Sequence, residues 1–147
     1  LSAGTPRVML GGVVAGAFTG AVGEEALRLA PVGTVQGRLL TSVRVFGPLR
    51  ATAQVGLGGG ARSIQVPGDV GMELMMGHFA FGASAAVVHE QRDKGCGEAQ
   101  TWLHIGGLAS GRAELPLGRH LRVLGTLRVG AVGTLMVDAG AGLGVVL

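Results

Sequence analysis

Tyrosine is absent from this 147-residue chain, and tryptophan, cysteine and lysine occur once each. A single cysteine, Cys96, excludes any intrachain disulfide. Two readings of it stay open: a free loop thiol, or an intermolecular link. Aromatics make up only 3 %, and the arginines are dispersed rather than clustered, so nucleic acid is not an expected partner. Charged residues are 14 % of the chain, against about 25 % in ordinary soluble domains. Long apolar runs are missing too. Gly, Arg, Thr or Gln interrupts every apolar stretch well short of the ~20 residues that a membrane-crossing helix needs. Proline is limited to 5 residues and glycine has no three-residue period, which excludes a collagen-like chain.

What is present conflicts with those absences at first sight. Hydrophobic residues reach 48 %, mean hydropathy is +0.50, and there are 29 glycines. High hydropathy without long apolar runs is resolved by strands that show an apolar side chain to their surroundings at every second residue. The length fits one domain, residues 1–147. The chain opens at Leu1 rather than Met, which fits a removed signal peptide or a trimmed chain alike.

Period-two alternation runs through the sequence. Leu49, Ala51, Ala53, Val55 and Leu57 form one face of a segment; Arg50, Thr52, Gln54, Gly56 and Gly58 form the other. Over Thr34 to Val45 the apolar set Val35, Gly37, Leu39, Thr41, Val43 and Val45 opposes Gln36, Arg38, Ser42 and Arg44. Over Trp102 to Ala113, Leu103, Ile105, Gly107 and Ala109 oppose His104, Gly106, Ser110 and Arg112. From His120, Leu121, Val123, Gly125, Leu127 and Val129 oppose Arg122, Thr126 and Arg128. The last segment sets Leu135, Val137, Ala139, Ala141, Leu143, Val145 and Leu147 against Asp138, Gly140, Gly142 and Gly144.

Three further segments are strand-like. Arg7 to Thr19 is small and apolar on both faces, so its orientation stays open. Val70, Met72, Leu74 and Met76 alternate with Gly71 and Glu73, and Phe79, Phe81, Ala83, Ala85 and Val87 continue on odd numbers. The change of parity between Met76 and Phe79 predicts a tight turn near Gly77 rather than a bulge. Connectors then alternate in length. Those at 20–33, 59–68 and 90–97 are long; those at Gly47-Pro48, Gly77 and 114–118 are short; and the one at 131–133 is shorter than the alternation asks. Within the first, Glu24 to Ala30 has the composition of a short helix ended by Pro31.

Residue size decides which face is inside. The apolar face carries Gly37, Ala51, Ala53, Gly107, Ala109, Ala139 and Ala141, which would underfill a soluble barrel packed to normal interior density. The polar face carries glycines beside long arginines, an economical way to fit guanidinium groups into a narrow lumen. The apolar face is therefore expected to point out, to lipid. The expected interior polar network is Arg38, Arg44, Arg50, Glu73, His104, Arg112, Arg122, Arg128 and Asp138, with His120 also facing in. Buried charges have to pair. Arginines outnumber acids in this set, so water or histidine is expected to share the load.

The eight alternating segments, the alternation of short and long connectors, and the strand at the chain's end resemble the small OmpA/OmpX-type outer-membrane barrels. The resemblance spans nearly the whole chain and rests on pattern, with no diagnostic motif. It implies an all-β, up-and-down antiparallel transmembrane barrel of about eight strands in the outer membrane of a Gram-negative bacterium. It also implies membrane lipids or detergent as surroundings and a protein partner reached through the loops. A lumen of this size is filled by side chains, so an open pore is not expected.

No cofactor, metal or catalytic residue is expected. His78, His89, His104 and His120 make no tight ligand spacing. Ser110 and His104 lie about 20 Å apart along one strand at ~3.3 Å per residue, too far to form a dyad. Gly58-Gly59-Gly60 lacks the Lys-Ser/Thr of a phosphate loop. The leading expectation is a non-enzymatic barrel with a structural, adhesion or partner-binding role. The alternatives are a soluble barrel holding an apolar ligand and a lipid-modifying membrane enzyme.

Overall fold

The computed structural model describes residues 8–20, 32–61, 63–93 and 97–147. Eight strands run β1 (Val8–Gly20), β2 (Val32–Phe46), β3 (Leu49–Gly60), β4 (Ser63–Met76), β5 (Phe79–Asp93), β6 (Ala99–Pro116), β7 (Leu121–Val132) and β8 (Thr134–Val146). Each pairs antiparallel with its neighbour in sequence, and β1 pairs with β8, which closes the barrel. Closure leaves no strand edge with unpaired backbone, the condition for a sheet to lie in hydrocarbon. No helix among the described residues is long and apolar enough to cross a membrane. The short helix considered for residues 24–30 lies outside the described residues, as does Cys96.

The even-numbered connectors are tight. Gly47 and Gly77 occupy φ of 52° and 64°, a region that costs a side-chain-bearing residue energy and glycine little. The turn at Gly77 accounts for the change of alternation parity there. Two connectors are shorter than their composition suggests. The glycine-rich stretch 59–68 is mostly strand, leaving residues 61 and 62 between β3 and β4; 90–97 shrinks to 94–98 because β5 runs on to Asp93. Pro67 lies inside β4, where it cannot donate to the ladder. The β3–β4 register lapses there, between Val55↔Gly68 and Gly58↔Gln65, while the β4–β5 register continues through Pro67↔Val88.

The molecule is inside-out relative to a soluble domain. Among the described residues, 14 polar or charged side chains are buried against 12 hydrophobic ones. Large apolar side chains dominate the outward positions: Leu10, Val14 and Phe18 on β1, Val35 and Leu39 on β2, Ile64, Val70 and Leu74 on β4, Leu103 and Ile105 on β6. β1, whose orientation its sequence leaves open, turns Met9, Val13, Ala15 and Ala17 inward. Among the described strand residues, no charged side chain faces outward until Asp93 at the end of β5. The outward set on β8, Leu135 to Val145, spans ten residue steps. At ~3.3 Å per step and a ~40° tilt that is about 25 Å, the height of an outer-membrane apolar band. The reading as a soluble barrel, which needs this face inside, is therefore overturned.

Inner-face glycines mark where strands or stems come close. A Cβ on Gly142 would lie 2.7 Å from Val13 Cα and against the Gly12 carbonyl. Gly142→Ala should therefore destabilise the barrel by about 1–3 kcal/mol. A fall in the urea midpoint of the folded, heat-modifiable species would show it, and an unchanged midpoint would contradict this close approach.

Candidate functional site: an ion-paired lumen

Alternation delivers polar side chains from seven strands into the lumen, where they assemble into three groups. The first joins Arg38 (β2), Asp69 (β4), Arg128 (β7) and Asp138 (β8). Arg38 Nη2 lies 2.9 Å from Asp138 Oδ1 and donates to Thr126 Oγ1 at 3.2 Å. Arg128 Nε donates to Asp138 Oδ2 at 2.8 Å, while its Nη1 pairs with Asp69. Arg128 and Asp138 are direct cross-strand neighbours, so the sheet register itself sets this contact.

The second group joins Arg50 (β3), Glu73 (β4), and Arg112 and Glu114 (β6). Arg112 Nη2 lies 2.7 Å from Glu73 Oε2 and 2.9 Å from Glu114 Oε1. Arg50 Nη1 donates to the same Glu114 oxygen at 3.0 Å. The third group sits toward the opposite mouth. Glu90 accepts from Arg92 at 2.8 Å and lies 3.4 Å from His104 Nε2, and the Arg92 guanidinium rests 5.6 Å from the centre of the Trp102 ring. Glycines make room for the long stems. A Cβ on Gly56 would lie 2.7 Å from Arg38 Cγ, and one on Gly82 would lie 2.6 Å from Glu73 Cγ.

Each of the first two groups holds two arginines and two carboxylates, so each is electrically neutral. That balance replaces the expected surplus of arginine. It arises because Asp69 and Glu114, which the sequence reading leaves out, point inward. Asp69 stands one alternation step before Gly71 and Glu73, and Glu114 one step after Arg112, so parity carries both signals. Glu114 is lost in the sequence because it adjoins a turn, and Glu90 and Arg92 because their stretch has loop composition.

Three residues expected inside stand apart. Arg44 has inward parity but is exposed near the end of β2, at the last pair before a register shift, where it stands opposite another cation, Arg50. Arg122 donates from Nη1 to the carbonyls of Gly118 and Leu121, each at 3.0 Å, and so fastens the β6–β7 turn. His120 is exposed, with Nδ1 3.0 Å from the Val146 carbonyl.

Chemically the arrangement is a plug. Its cations and anions pair in charge, and two apolar clusters share the lumen with them: Met9, Val13, Ala15, Leu40 and Leu124, and Ala86, Val88, Leu108, Val132 and Met136. His104 faces Glu90 rather than Ser110. No group of three or more metal-ligating side chains occurs among the described residues.

No protein-family model matches the chain, and no curated protein sequence does. Solved structures do. Neisserial surface protein A superposes with a TM-score of 0.67 at 13 % identity, covering 94 % of this chain and 96 % of that one. Ail, the attachment invasion locus protein of Yersinia pestis, solved with the heparin analogue sucrose octasulfate, gives 0.68 at 5 % identity, covering 97 % and 99 %. The N-terminal β-barrel domain of Pseudomonas aeruginosa OprF gives 0.65 at 9 % identity, covering 97 % and 100 %. The chain has the fold of the eight-stranded bacterial outer-membrane barrels.

Proposed function

We propose that this chain is a non-enzymatic integral barrel of the bacterial outer membrane, with a plugged lumen that is structural and a partner or adhesion role exercised at its connectors. The ion-paired lumen behind a charge-free apolar outer wall is the observation that carries this reading. A spanning barrel must pair its buried charges internally, and the two neutral groups, with Glu90 against Arg92 in the third, support the reading. The interior residues named above then serve as a scaffold that holds the connector-bearing rim in place.

Connector length points to the rim at the ends of β1, β3, β5 and β7, where the connectors 21–31 and 94–98 are the longest. Its charge narrows the partner. The connectors and strand ends there carry Glu24, Glu25, Arg28, Arg62, Glu90, Arg92, Asp93, Lys94 and Glu98: four cations and five acids. A polysulfated ligand like the one bound to Ail has no cationic surplus to meet on this rim. A neutral or basic protein surface fits it better.

Purified chain refolded into detergent should show heat-modifiable gel mobility. After transfer to a planar bilayer it should give no steady conductance. Sustained ohmic conductance would overturn the plugged lumen. Monodisperse, β-rich protein in plain buffer, indifferent to detergent, would overturn the membrane reading.

A further inference from the structure

The formal charge of the whole chain is +3, yet the two inner groups of the lumen sum to zero. Among the described residues, the exposed cations gather at one rim. At the ends of β2, β4 and β6, the exposed charges among the described residues are Arg44 and Arg119, both cationic, with the half-buried Arg122 and the exposed His78 and His120 beside them. Arg44 belongs to the end of β2, and Arg119 and Arg122 flank the β6–β7 turn. In an eight-strand ring these positions fall on opposite sides of the mouth, so the cations form a collar rather than a point patch. Among the described residues, the opposite rim exposes Asp93 and Glu98 instead, with Arg92 half-buried beside them.

The collar adjoins the apolar wall directly. Phe46 follows Arg44 by two residues and is 82 % exposed; Phe79, Phe81, Leu115, Leu117 and Leu121 are exposed on the same rim. Exposed aromatic and large apolar side chains next to cations mark the level where hydrocarbon gives way to headgroups. A cation held at that level meets lipid phosphates first.

We infer that this collar binds the anionic phospholipid headgroups of the leaflet facing the short turns, and so fixes the depth of the barrel in the bilayer. The inference rests on the membrane reading above. Three observations support it: the sign of the rim, its contiguity with the apolar wall, and its spread around the mouth. Charge complementarity supplies the affinity. Each arginine near an anionic surface contributes about a factor of five in relative lipid binding, and salt weakens it.

The test uses the full chain in nanodiscs of phosphatidylcholine and phosphatidylglycerol in equal amounts, with native mass spectrometry counting the retained lipids. Wild type should retain phosphatidylglycerol preferentially, and ~0.5 M salt should erase the preference, because screening is then nearly complete within several ångströms. The triple variant Arg44→Gln, Arg119→Gln, Arg122→Gln should retain the two lipids equally. Asp93→Asn with Glu98→Gln, at the other rim, should keep the wild-type preference. Because Arg122 also fastens a turn, Arg122→Lys separates charge from turn geometry: it should keep the preference although the forked contact is lost. Heat-modifiable mobility of every variant shows that the barrel has formed, so failure of the membrane reading is seen separately. No preference in wild type, or an undiminished one in the folded triple variant, overturns the collar as a lipid site.

Discussion

Asp138→Ala should lower the stability of the folded barrel by about 3–5 kcal/mol, the cost of stranding buried charges by deleting their partner. The side chain of Asp138 is fully buried and accepts from two guanidinium groups, those of Arg38 and Arg128. Once it is gone, two cations face Asp69 alone in a lumen whose neutrality is lost. The measurement is the urea midpoint of refolding into lipid vesicles, followed by heat-modifiable mobility. Arg128→Ala placed on top of Asp138→Ala should recover part of the loss, since the double change restores a one-to-one balance of Arg38 with Asp69. Additive losses would mean that the four groups do not act as a unit. An unchanged midpoint for Asp138→Ala would show that the lumen charges are solvated rather than paired.

Leu39→Arg should cost about 2–4 kcal/mol, the depth-dependent penalty for a cation at the bilayer midplane. Leu39 sits at the centre of β2, faces outward and is 68 % exposed. In water a change to arginine at so exposed a position would be close to neutral. The two environments thus predict opposite results from one substitution. Stability should fall in lipid vesicles, and the same variant with a polar uncharged residue, Leu39→Gln, should lie between it and wild type. A Leu39→Arg barrel as stable as wild type in lipid would place this face outside the hydrocarbon.

Strand faces were legible from sequence because a one-residue shift would turn an entire apolar set inward, so alternation states its own register. Val35 to Val45 and Leu135 to Val145 show this most clearly: the apolar members of both point outward as their parity requires. Strand ends were not legible. Gly59 to Gly68 has the composition of a loop, yet pairing on both sides holds it as strand once the barrel closes. In the same way Glu90 and Arg92 read as solvated charges, although β5 runs on to Asp93 and Glu90 is buried against Arg92. The error at Arg44 and Arg122 has the opposite origin. Parity points both inward, but inward at the last step of a strand means toward water. The lumen's balance of charge emerged only when Asp69 and Glu114 were placed with the others, since charge pairing joins strands distant in sequence and leaves no local pattern.

The pairing of β1 with β8 has a further consequence for assembly. Leu147 N donates to the Val8 carbonyl at 2.8 Å, so the two ends of the described chain lie side by side. The last of the eight strands in chain order is thus the one that seals the first. Until it arrives, two rows of backbone donors and acceptors lie open, and hydrocarbon cannot solvate them. Insertion should then be all-or-none with respect to β8, and a chain truncated before Thr134 should stay outside the bilayer however well its other strands pair. The same adjacency makes a circularly permuted chain feasible: a short link from Leu147 to Val8 and a new break at Gly77 would keep every ladder.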